Sequence, residues 1–139
     1  MNNPNIIYSA QVVIPAGPKE IYVETNNKYC DISFFGWKAK KWEKMWETAI
    51  REVYEETTLI LWTEDLHFIE SSDSVKLWHG IFVSSLYVTP VVPKLEWKWI
   101  QKISLKDLEK INAKFMVSKE DFLRRTNLAL KNINRIYGT

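Results

Sequence analysis

The stretch Arg51-Glu52-Val53-Tyr54-Glu55-Glu56-Thr57-Thr58-Leu59 decides how this chain is read. Glu52, Glu55 and Glu56 stand at i, i+3 and i+4, positions that are neighbours on a helix surface. At about 100° per residue they project into an arc of about 100°. Upstream, Trp42, Trp46, Ala49, Ile50, Val53 and Thr57 recur at helical spacing and fill a second arc of about the same width. The spacing predicts an amphipathic helix from about Trp42 to Thr57. Its apolar stripe, with Trp42 and Trp46 packed in the core, lies roughly 120° from the carboxylates.

Three like charges on one helix face cost about 0.2–0.5 kcal/mol per pair. They also sit toward the helix C-terminus, where the macrodipole already disfavours anions. Arg51 offsets part of this by pairing with Glu47 or Glu55 at i±4. A generic triple of Glu is a solvated acidic face. A hard divalent cation would offset the repulsion further, because clustered carboxylate oxygens suit Mg²⁺ or Mn²⁺.

Read outward, the segment from Trp37 to Leu59 resembles the Nudix box, which runs glycine, five residues, Glu, seven residues, then Arg-Glu-aliphatic-x-Glu-Glu-x-Gly-aliphatic. Glu43 matches the first Glu, while Arg51, Glu52, Val53, Glu55, Glu56 and Leu59 match the core. Trp37 stands where the opening glycine is expected, with Gly36 just before it, and Thr58 replaces the closing glycine. The strand-rich flanks and Glu96-Trp97-Lys98-Trp99 ahead of a short helix extend the likeness across most of the chain.

The resemblance implies an α/β fold: an α/β/α sandwich with a mixed β-sheet flanked by helices. It also implies a Mg²⁺-dependent (or Mn²⁺-dependent) hydrolase that cuts a pyrophosphate bond in a nucleoside diphosphate derivative, whether a nucleotide, a nucleotide conjugate or an RNA cap. Carried onto this sequence, Glu55 and Glu56 are metal ligands and Glu52 is a ligand or the general base. Arg51 and Glu43 orient the helix by ion pairing. Lys38, just after Gly36-Trp37, is placed to meet a phosphate. Trp37 and Trp42 offer faces for a stacked base. Glu96 is a further loop carboxylate for metal or base duty. The alternative is a non-catalytic module of the same kind that binds a nucleotide, RNA or a protein; the two missing glycines favour it and the retained carboxylates oppose it. A helical interaction protein with no ligand is a third reading.

The flanks read as strands over 5–14, 20–24, 29–35, 59–62, 66–69 and 96–101, with a turn at 15–18. Val75 to Val88 reads as a long strand or a hairpin, bulged at Gly80. Ser104 with Asp107, and Ser118 with Asp121, are capping signals. They predict a short helix to about Ile111 and a final helix to about Ile136. His79 reads as a structural strand residue, and Arg124, Lys131 and Arg135 as a solvated basic face.

With 139 residues and 46% hydrophobic content, one domain spanning 1–139 builds its core without disulfides. The one cysteine, Cys30, forms no intramolecular disulfide and reads as a buried small hydrophobe in a strand. The N-terminal MNNPNIIYSA lacks the basic region and apolar run of a signal peptide. No apolar run approaches the ~20 residues of a membrane helix. The expectation is a cytoplasmic protein with no membrane partner and a nucleotide-type substrate; RNA as a partner and a homodimer remain open. A net charge of +2 does not by itself argue for nucleic acid.

Overall fold

The computed structural model describes residues 6–72, 75–77, 80–91 and 93–136. In chain order these form β1 (Ile6–Gly17), β2 (Glu20–Glu24), α1 (Met45–Thr57), β3 (His67–Ser71), β4 (Val75–Leu77), β5 (Gly80–Val88), β6 (Ile100–Ser104), α2 (Leu105–Lys110) and α3 (Lys119–Ile136).

Among the described residues the strands form one sheet in the order β3-β5-β1-β2-β6, with β4 paired to β5 off this path. β1 runs parallel to β5, and the other pairings are antiparallel, so the sheet is mixed. Val12, Val13 and Ile14 are all fully buried, as expected of a strand covered on both faces. Alternation along β1 sends Val13 to a core shared with Leu108 of α2 and Phe122, Leu130 and Ile133 of α3. Ala10, Val12 and Ile14 face the opposite way, onto Ala49 and Val53 of α1. The layers are thus helix, sheet, helix, as the resemblance implied.

The two capping signals form as read: Ser104 Oγ accepts from Asp107 N–H at 3.1 Å, and Ser118 Oγ from Asp121 N–H at 3.0 Å. Val75 to Val88 is the hairpin of the two alternatives, with Leu77 opposite Gly80 and no register shift at that glycine. His79 lies outside the described residues, as does the side chain of Arg135.

Several expectations are corrected. α1 begins at Met45, and Trp42 is 82% exposed in the turn before it. Trp46 is exposed as well, so neither tryptophan packs in the core. Their place facing the sheet is taken by Thr48, Ala49 and Val53. β1 continues through Pro15 to Gly17 rather than turning at 15.

The segment 29–35 buries Ile32, Phe34 and Phe35 but is not a ladder strand. It divides its pairing between two strands, Ser33 with Glu24 and Phe35 with Val12. Cys30 is buried as expected, outside any strand, and burial pushes its thiol up to about 11. Residues 59–62 join no strand, although Leu61 is buried. The strand expected at 96–101 runs instead from Ile100 to Ser104.

No helix among the described residues is long and apolar enough to cross a membrane.

Candidate active site

α1 carries the acidic segment. Its first turn is closed by Lys44 N–H donating to Glu47 Oε1 at 3.0 Å. Its last turn ends at Thr58, whose φ of 63° is left-handed and whose N–H donates to Tyr54 O at 2.8 Å. The closing position of the box therefore keeps the conformation that favours glycine, although a β-branched residue occupies it.

Thr48, Ala49 and Val53 press onto the sheet, and the same helical spacing carries Glu52 and Glu56 in beside them. Glu56 is met by the chain between β2 and α1. Gly36 N–H lies 3.3 and 3.2 Å from the two oxygens of Glu56 and donates to them. Gly36 has φ +115°, and a Cβ there would sit 2.1 Å from the carbonyl oxygen of Ala10. Only glycine fits. The glycine requirement of the box opening is thus met one residue early, at Gly36, ahead of Trp37.

The third carboxyl of the cluster is Glu24, which the acidic motif alone did not reveal. It ends β2 on the same strand face as Tyr22, which packs in the α1-side core. Its backbone is held by reciprocal hydrogen bonds with Ser33, at 2.9 and 3.0 Å. The alternation in Glu20-Ile21-Tyr22-Val23-Glu24 was the signal available. It puts Glu24 opposite Ile21 and Val23, on the side where the helix packs.

The carboxyls of Glu24 and Glu56 lie close enough that each affects the charging of the other. Burial, then the charge of Glu24, pushes Glu56 up to about 9. Burial also raises Glu24, chiefly, and Glu52, where the neighbouring Arg51 works in the opposite direction. Glu24, Glu52, Glu56, Gly36 and Trp37 line one pocket.

Arg51 ties the rest together. Its Nε donates to Glu43 Oε2 at 2.6 Å, and its Nη2 to Glu43 Oε1 at 3.0 Å and to the Lys38 carbonyl at 3.2 Å. Its Nη1 bonds both oxygens of Glu55, at 3.1 and 3.2 Å, and lies 3.5 Å from Glu52. Glu43 also accepts from Lys40 N–H and Thr48 Oγ1, each at 2.9 Å. Held first by the Arg51 guanidinium, Glu43 falls to about 2. These contacts pin the turn at 38–43 to the middle of α1.

The three helix carboxylates are therefore divided. Glu52 and Glu56 line the pocket with Glu24, whereas Glu55 is half-exposed on Arg51. Trp37 packs on Phe82 with ring centroids 5.4 Å apart and lies 6.2 Å from Tyr29. Lys38 lines a different groove, with Tyr8 and Lys40. Glu96 is exposed, with Lys94 at 3.7 Å, and is not part of the carboxylate pocket.

The donor chemistry fits a hard divalent cation: all oxygen, acidic, half-buried, and mutually repulsive once ionised. Among the described residues no group of three carboxylate, thiol or imidazole side chains is already arranged to hold an ion.

No protein-family model and no curated protein matches the chain. Solved structures do. A MutT protein from Methanosarcina mazei Go1 superposes with TM-score 0.69 at 14% identity, covering 100% of both chains. A NUDIX-family hydrolase from Clostridium perfringens gives 0.66 at 16%, covering 92% of this chain and 98% of that one. A bifunctional NMN adenylyltransferase/ADP ribose pyrophosphatase from Francisella tularensis, complexed with AMP and a manganese ion, gives 0.70 at 16%, with 96% of this chain on 43% of that one. The chain has the Nudix fold. Within that fold, the box segment supplies α1 and the turn that Arg51 fastens to it.

Proposed function

We propose that this Nudix-fold chain is a divalent-metal-dependent hydrolase that cleaves a pyrophosphate bond in a nucleoside diphosphate derivative: a nucleotide, a nucleotide conjugate or an RNA cap. The observation that carries this reading is the convergence of Glu24, Glu52 and Glu56, half-buried, on one pocket at the end of α1. An apolar core gains nothing from three carboxyls that repel one another, whereas a site for Mg²⁺ or Mn²⁺ and a polyphosphate needs them. The Francisella protein of the same fold, solved with AMP and manganese, lends support.

Glu52 and Glu56, with Glu24, would hold the cation. Glu55, now bonded to Arg51, would join them only on releasing it. The bound ion would neutralise phosphate charge and acidify water. Glu52, whose pKa burial raises, is alternatively the base that takes a proton from the attacking water. Gly36 N–H fixes the Glu56 carboxyl. Arg51 and Glu43 position the helix and touch no substrate. Trp37 closes the pocket edge next to the carboxyls.

A binding module without turnover is the second reading. The commitment of Glu55 to both Arg51 hydrogen bonds favours it. The test incubates the protein with Mg²⁺ or Mn²⁺ and a panel of nucleotides, nucleotide sugars, dinucleoside polyphosphates and capped RNA, beside Glu56→Gln, with products identified by chromatography. Metal-dependent cleavage that disappears in the variant is expected. A folded, monodisperse protein that turns over none of the panel sinks the hydrolase and leaves the module.

A further inference from the structure

A groove of about 560 Å³ lies beside the carboxylate pocket, with Tyr8, Lys38, Lys40, Lys41 and Glu43 among its walls. Trp37 lines the pocket, and the next residue, Lys38, lines the groove, in keeping with alternation along an extended segment. The turn at 38–43 is fastened from two sides. Ala39 N–H donates to the Tyr8 carbonyl at 2.8 Å, and Arg51 donates to the Lys38 carbonyl while holding Glu43. The same Arg51 bonds Glu55 and lies 3.5 Å from Glu52. One guanidinium therefore links the groove to the carboxylate face of α1.

The charge of this groove is one-sided. Lys38, Lys40, Lys41 and Lys44 fall within seven residues, and all four are exposed. Among the described residues none of them forms an ion pair with a carboxylate. Glu43, the acidic residue between them, is already taken up by Arg51. The whole chain carries only +2, so cations are gathered here rather than spread evenly. Like charges this close repel, and a polyanion relieves them.

Aromatic faces interleave with the lysines. Trp42, between Lys41 and Glu43, leaves its indole open to solvent, and Tyr8 is 53% exposed. A merely solvated lysine turn has no use for an open indole. A single nucleic-acid strand offers a base to each ring and a phosphate to each ammonium. A duplex hides its bases, and a lipid surface asks for aromatic side chains that protrude together rather than line a groove.

We propose that this groove holds the single-stranded RNA body behind a 5′ pyrophosphate or cap lodged on the carboxylates. Lys38, Lys40 and Lys41 meet its phosphates, and Tyr8 and Trp42 stack on its bases. The proposal rests on the hydrolase reading for the 5′ end, but binding of the RNA body is measurable without metal or turnover.

The experiment follows the anisotropy of a 3′-labelled oligouridylate of about twelve nucleotides on the metal-free full chain, at about 50 and about 200 mM KCl. Wild type is compared with Trp42→Ala and with the double variant Lys40→Gln/Lys41→Gln, each checked for folding by circular dichroism. An RNA duplex and phosphatidylserine vesicles are run beside them. Binding should weaken roughly 20- to 50-fold across that salt range, the scale of three or four neutralised phosphates on a single strand. The double variant should lower the salt slope by about 1.4. Trp42→Ala should weaken binding roughly tenfold at an unchanged slope, the scale of one stacked base. With Mn²⁺, the double variant should lower kcat/KM for the 5′-triphosphorylated RNA roughly tenfold and leave that of the best mononucleotide substrate unchanged.

Absence of RNA binding, a duplex bound as tightly as the single strand, or an affinity unchanged in either folded variant overturns the proposal. Equal losses on RNA and mononucleotide turnover overturn it too. Capture by the vesicles without binding of RNA makes the patch a membrane contact instead. RNA binding without hydrolysis of any substrate supports the groove and rejects the hydrolase. Hydrolysis of mononucleotides without RNA binding does the opposite.

Discussion

Thr58 is a β-branched residue holding φ 63° at the end of α1. The left-handed region costs an L-residue about 1–2 kcal/mol, and only glycine avoids it. Thr58→Gly should therefore stabilise the protein, by about 0.5–1 kcal/mol once the added freedom of the unfolded glycine is subtracted. A thermal melt that moves down instead would show that Thr58 makes a compensating contact. Glu43 acts in the opposite sense. Its folded pKa, about 2, lies below the ordinary 4.5 because Arg51 holds the charged form. The stability it contributes is complete above about pH 4.5 and is lost as pH falls toward 2. Urea melts of wild type and Glu43→Gln should differ by ~1–3 kcal/mol at pH 7 and converge only as pH falls to about 2 and below. A gap independent of pH would mean that the pair contributes through packing alone.

At the scale of elements, legibility followed the range of the forces. Ser104 with Asp107 and Ser118 with Asp121 are local hydrogen bonds, and both helix starts were readable from four residues each. For 75–88 the sequence left a long strand and a hairpin open, and pairing between close neighbours in sequence makes it the hairpin. Residues 29–35 were misread because their apolar content satisfies two cores at once while their backbone is shared between β1 and β2. That division is tertiary information. Trp42 and Trp46 matched helical periodicity, yet the helix starts after Trp42 and turns Trp46 outward. Among the site residues, Glu52, Glu55, Glu56, Arg51 and Glu43 were found through one motif. Glu24 was not, because it comes from a strand whose nearness to α1 only the fold supplies. The corrected helix face has a direct test. Trp42→Ala should change stability by no more than ~0.5 kcal/mol, as at an open surface, whereas Val53→Ala should cost ~1–3 kcal/mol. Comparable losses at the two positions would restore Trp42 to the core.

At the scale of the molecule, β1 lies between both cores, so the sheet is held rigid from two sides where it meets the site. Glu24 arrives from the sheet, Glu52 and Glu56 from the helix, and Gly36 from the segment packed over β1. Rigid elements thus hold together acidic groups that would separate if free, and their crowding raises the pKa of Glu24, Glu52 and Glu56. A ligand that relieves this repulsion binds the folded state and not the unfolded one. Under the proposed function, Mg²⁺ or Mn²⁺ at about 100 times its Kd should add ~2.7 kcal/mol and raise the melting temperature by several degrees. Glu56→Gln should separate the two effects. Its amide keeps the shape of the side chain and removes a like charge from the cluster, so the melting temperature without the ion should not fall far below that of wild type. It also removes one charge from the cluster, so the response to the ion should shrink to a small fraction. Calcium as a control distinguishes a selective site from general screening of acidic groups, since the larger ion tolerates looser oxygen cages. An equal shift in the variant would place the cation elsewhere on the surface. No shift in either protein would leave three half-buried carboxyls with no ligand to justify them.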